Sequence, residues 1–85
     1  MYDYPLDPDW STEEIIDVIA LYNTVEKAYE EGIDSKEFME AYRKFTSIAD
    51  SKSVQKQLDR AFEQTSGYSI YKVFKRAQEE EWVKL

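Results

Sequence analysis

Chain breakers are almost absent from this sequence after its tenth residue. The 85 residues include two prolines and two glycines; Pro5 and Pro8 fall at the start, leaving Gly32 and Gly67 as the later interruptions. Proline cannot donate a helical hydrogen bond, and glycine readily takes the left-handed backbone that ends a helix, so everything after Trp10 is free to be helical.

The helix starts are written in side chains. Ser11-Thr12-Glu13-Glu14 is a capping box, in which a hydroxyl takes the Glu14 amide and the Glu14 carboxylate returns to the Ser11 amide. It predicts a helix over 12–31, ended by Gly32. Ile15, Val18, Ile19, Tyr22, Val25 and Tyr29 fall on one face at 100° per residue, whereas Ile16, Ala20 and Leu21 fall outside it. The first half of this helix is therefore apolar nearly all round, which fits a central position in a bundle or a face used for self-association. Asp34-Ser35-Lys36-Glu37 reads as a second capping box opening a helix over 35–49, with Phe38, Ala41, Tyr42, Phe45, Ile48 and Ala49 as its stripe. Asp50 or Ser51 can cap a third over 52–65, carrying Val54, Leu58, Ala61 and Phe62. Gly67 breaks the chain, and Ile70, Val73, Phe74 and Ala77 point inward from a fourth over 69–81. Residues after 81 fray or dock through Trp82. No run alternates with period two for long enough to make a strand. Short loops favour packing of sequential helices, so the expected fold is all-α, a compact antiparallel four-helix bundle formed by one domain, 1–85. Ahead of it lies an extended arm over 1–10 that docks through Tyr4, Leu6 and Trp10.

Composition removes most small-domain chemistries. With no Cys and no His, the chain has no disulfide framework, no thiol nucleophile, no imidazole base and no zinc or haem ligand of the usual kind. No glycine-rich phosphate loop is present. Asp3, Asp7 and Asp9 lack the glycine turn and terminal glutamate of a calcium loop, and Glu79, Glu80 and Glu81 cannot all face one point on a helix. No cofactor or metal is implied. No segment has the roughly 20 apolar residues of a membrane span, and the acidic start is unlike a signal peptide, so a cytosolic location is expected. The net charge of −7 disfavours phosphate backbones and anionic lipid. It hides a segregation, because residues 1–34 carry ten acids and one base while residues 35–85 carry eight acids and ten bases.

The run Tyr4-Pro5-Leu6-Asp7-x-Asp9-Trp10-Ser11-Thr12-Glu13-Glu14-Ile15 and the later Val25-Glu26-x-Ala28-Tyr29-Glu30-x-Gly32-Ile33, Tyr42-Arg43-x-Phe45 and Ser66-Gly67-Tyr68-Ser69-x-Tyr71 resemble uncharacterised protein family 0223. These are small acidic helical proteins of low-GC Gram-positive bacteria. The resemblance covers essentially the whole chain and implies a compact four-helix fold in a bacterial cytosol, with no activity or catalytic residue to carry over. Members typically carry a proline where this chain has Asp50.

Four groups of residues are candidates for function. Glu26 falls between Tyr22 and Tyr29 inside the apolar stripe, where a carboxylate needs a partner; it is either a contact for a ligand or partner, with Arg43 or Lys44 nearby, or an edge carboxylate capped by a tyrosine hydroxyl or paired with Arg43. Ser53–Lys56 and Ser69–Lys72 match an S-x-x-K spacing, but no oxyanion hole or companion motif accompanies either, and both serines have a simpler use at helix starts. Ile16, Leu21, Met39 and Tyr71, with Tyr2, fall off the stripes and can form an exposed patch. Finally, Lys72, Lys75 and Arg76 follow a turn at Gly67, as on a DNA-recognition helix, and residues 52–76 carry a local excess of positive charge. The leading expectation is a non-enzymatic cytosolic module that binds a protein partner or a second copy of itself, as a homodimer, through Ile16, Leu21, Glu26, Met39 and Tyr71. The alternative is a nucleic-acid-associated regulator that uses Lys72, Lys75 and Arg76 on the basic face of helices 3 and 4.

Overall fold

A computed structural model describes residues 3–85. Four helices follow in order: α1 (Thr12–Glu30), α2 (Ser35–Ile48), α3 (Lys52–Ser66) and α4 (Ile70–Ala77). The radius of gyration is 11.9 Å, close to the ~12 Å of a compact chain of this length. No helix among the described residues is long and apolar enough to cross a membrane.

Each helix begins where a side chain can take the orphan amides of the first turn. The Ser11–Glu14 capping box forms in both directions, at 3.2 and 2.8 Å. The Asp34 box forms by half: Asp34 accepts from the Lys36 amide at 2.8 Å, while Glu37 turns to Lys27 at 3.7 Å. Ser51 caps α3 by accepting from Val54, and Ser69 caps α4 by accepting from Lys72. Gly32 (φ 101°) and Gly67 (φ 82°) take the positive backbone angles that stop α1 and α3.

Two short strands stand where none was expected. β1 (Ile33–Asp34) pairs antiparallel with β2 (Trp82–Val83), with Ile33 opposite Val83. Both of those side chains are fully buried. The Leu85 amide continues the return by donating to the Ala28 carbonyl at 3.1 Å. This closure explains why α4 stops at Ala77 rather than at 81, since the tail must turn back to reach β1. It docks through Val83 and Leu85, whereas Trp82 stays 57% exposed.

The buried face of α1 is Val18, Leu21, Tyr22, Val25 and Ala28. The sequence stripe is therefore rotated by about one position: Leu21 enters the core, Ile15 and Ile19 become half-exposed edges, and Ile16 faces out at 59% exposure. The rotation follows from what surrounds α1, with α2 along one side, α4 and β1 near its end, and the arm on another. Tyr4 supplies that last cover, its ring 5.2 Å from Tyr22 and 6.1 Å from Phe62. The Tyr22 hydroxyl donates to the Pro5 carbonyl at 2.7 Å. Trp10 also packs on the core, but Leu6, expected to do the same, is exposed. α2 and α3 are joined by only residues 49–51 yet share little contact; α4 lies against both. The splay between α2 and α3 leaves an opening above α4.

Candidate functional site

That opening is a groove of about 680 Å³ lined by α2, α3 and α4. Its apolar floor is Tyr42 and Phe45 from α2 with Ile70 and Phe74 from α4. Phe45 and Ile70 are buried, but Tyr42 and Phe74, stacked with ring centroids 4.5 Å apart, keep partly exposed edges. Lys52 and Lys56, one helical turn apart on α3, and Lys72 on α4 form a cationic rim. All three lysines are exposed. The two ion pairs among the described residues are Lys27–Glu37 and Arg76–Glu80, so the rim lysines have no acidic partner there. Glu63 lies about 16 Å from Lys52 along α3 and gives the groove one acidic end.

Asp59 lies in the groove wall and joins its two sides. It accepts from the Ile70 amide at 2.8 Å, and the nearby Tyr71 amide and Ser69 hydroxyl favour its charged form. A carboxylate of α3 thus holds the positive end of α4. Burial pushes its carboxyl above the usual aspartate range; the donors at the start of α4 pull the other way without cancelling the rise, and Glu63 adds to it. Nothing in the spacing Asp59…Ile70 signals this bond, because it depends on how α3 and α4 cross after Gly67. The groove as a whole escaped sequence reasoning for the same reason, although its lysines were visible as a basic run.

The expected site residues are dispersed. Ile16 and Tyr71 are exposed, at 59% and 58%. Leu21 is fully buried and Met39 packs against the core, so neither belongs to an exposed patch. Tyr2 lies outside the described residues. Glu26 is half-buried at the stripe's edge, and its tyrosine is Tyr4 of the arm, whose hydroxyl donates to Glu26 Oε1 at 2.8 Å with Asn23 Oδ1 a second acceptor at 2.9 Å. Burial and this carboxylate raise the Tyr4 hydroxyl to about 12. Tyr22 and Tyr29 are engaged elsewhere, Tyr29 accepting from the Ser69 amide. Arg43 and Lys44 border Glu13, Glu14 and Asp17 at the other end of α1. Lys72 and Lys75 are exposed, Lys75 lying 6.0 Å over the Tyr71 ring, while Arg76 is held by Glu80 at 3.1 Å. Of the candidate serines, Ser69 has its hydroxyl at the start of α4 and Ser53 sits in the first turn of α3, behind the cap provided by Ser51.

The chain resembles known proteins over its whole length. Residues 1–85 match an uncharacterised protein family, UPF0223. A UPF0223 protein of Streptococcus uberis is 51% identical over 80 residues, covering 94% of this chain and 87% of its own length. Another, from Bacillus mycoides, is 46% identical over 78 residues, covering 92% and 88%. A third, from Oceanobacillus iheyensis, is 50% identical over 78 residues, covering 92% and 89%.

Proposed function

From the premise that the chain belongs to the uncharacterised protein family UPF0223, we propose that it is a non-enzymatic interaction module of the bacterial cytosol that grips an acidic amphipathic segment of a partner protein. One observation carries this reading: an apolar floor and a rim of three unpaired lysines are combined in one groove on a chain of net charge −7. An acidic surface elsewhere repels acidic partners, so such a segment gains most by aligning its carboxylates with Lys52, Lys56 and Lys72. Its apolar side covers the partly exposed edges of Tyr42 and Phe74, in the manner of a helix lying in a groove. The groove's length, about 16 Å along α3, accommodates about three helical turns.

The test is selection from a displayed library of helical peptides. The expected binders carry Asp or Glu one turn from an aromatic or aliphatic anchor, and Lys56→Glu with Lys72→Glu weakens them by about tenfold or more. A library that yields no such peptides, or peptides indifferent to the charge reversal, overturns the proposal. So does duplex DNA that binds at low salt and displaces selected peptides, because Lys72 and Lys75 then serve phosphate.

A further inference from the structure

We infer that a second copy of this chain is an occupant of the groove, presenting the arm and the first half of α1. The inference rests on the groove reading and names one partner for it. The arm returns along α1 from Pro5, whose carbonyl takes the Tyr22 hydroxyl, to Ser11, which caps the helix. Beside it lie aliphatic side chains that reach solvent: Leu6 and Ile16 are exposed, and Ile15 and Ile19 are half-exposed and outside the packed core cluster. Covering large aliphatic side chains is the main gain available to such a surface. Asp7, Asp9 and Glu13 are exposed around it. This is the acidic, amphipathic helical chemistry that the groove accepts.

The two surfaces do not meet within one molecule, for the groove has no residue from the arm or α1 in its lining. The acids at the start of the chain and the rim lysines are absent from the ion pairs of the described residues. Arg43 and Lys44 share a shallow cleft with Glu13 and are likewise absent from those pairs. The charge segregation along the sequence therefore becomes two complementary faces on one chain. Face and groove are different patches, so two copies related by a two-fold axis exchange them reciprocally, each face entering the other copy's groove, and the dimer closes through two such contacts.

Complementation tests this directly. Ile16→Glu spoils the donor face and leaves the groove intact, whereas Lys56→Glu with Lys72→Glu spoils the groove and leaves the face intact. Sedimentation equilibrium is expected to show a concentration-dependent dimer for the native chain, monomers for each variant alone, and, when the two variants are mixed, a weaker dimer held by the one face–groove contact left intact. Circular dichroism checks that each variant is folded, and Ala20→Arg, also at an exposed position of α1, replaces Ile16→Glu if that variant is not. A native chain that stays monomeric overturns the inference, as does either variant that dimerises as tightly as the native chain. If library peptides still enter the groove in either case, only the self-association falls; if they do not, both readings fall.

Discussion

Asp59 answers two opposed demands. As an acceptor it satisfies the Ile70 amide at the start of α4, whose loss costs about 1 kcal/mol at an ordinary cap; as a charge it is half-buried, and burial raises its carboxyl above the unfolded value of 3.8. A raised folded-state value means that ionisation favours the unfolded chain. The associated stability is present below 3.8 and is lost as pH rises through the folded value, so at neutral pH the ionised form is a cost. Asparagine keeps an acceptor oxygen and removes that charge, while alanine removes both. Thermal denaturation at neutral pH is expected to show Asp59→Ala destabilised by about 1–2 kcal/mol and Asp59→Asn at least as stable as the native chain, with the Asn advantage vanishing in acid. Equal destabilisation by both substitutions would mean that the charge, not the acceptor, is what holds α4. Sequence could not have singled out this residue, since the amide that donates to it, that of Ile70, lies eleven positions away and is a backbone group. Leu21 shows the complementary failure: it was visible as apolar, but a shift of one helical position decided whether it or Ile15 and Ile19 met the core. The pattern specifies that a stripe exists more firmly than it specifies the stripe's azimuth.

The helices were legible because their signals are local: a capping serine or aspartate before each, and a glycine with positive φ after α1 and α3. The strands were not, since two residues show no periodicity and their pairing joins positions about fifty apart. The groove was illegible for a related reason, because residues 49–51 connect α2 to α3 without stating the angle between them. Gly32 links the legible to the illegible. Its positive φ ends α1, as the sequence implied; its missing side chain also admits the Trp82 indole of β2, which a Cβ at that position would approach to 2.6 Å. These two roles carry separable costs. Gly32→Ala is expected to lose about 1–2 kcal/mol from backbone strain alone, plus the cost of displacing Trp82. Adding Trp82→Ala removes the collision but not the strain. A double-mutant cycle in urea should therefore show that Gly32→Ala costs less in the Trp82→Ala background. Strictly additive effects would show that the indole moves aside freely and that only the backbone angle requires glycine.

At the scale of the whole molecule, the net charge of −7 and its arrangement make opposite demands on salt. Within one chain, like charges repel over distances comparable with the radius of gyration of 11.9 Å. The Debye length falls through about 10 Å near 0.1 M salt, so added salt screens this repulsion and stabilises the monomer. Between chains, the attraction of Asp7, Asp9 and Glu13 for the lysine rim is screened by the same ions, and association weakens. A melting temperature measured on the native chain mixes the two effects, because dimerisation itself stabilises the fold. The variant carrying Ile16→Glu separates them, since it does not associate and alters the net charge by only one. Its melting temperature is expected to rise by a few degrees with sodium chloride, the response to about 0.5–1 kcal/mol in a domain of this size. The native chain at high concentration should rise less or fall, with its sedimenting mass dropping toward the monomer over the same range. If both chains respond identically while the native mass is constant, the lysine rim has no electrostatic role in assembly, and any association between copies is held by the apolar surfaces alone.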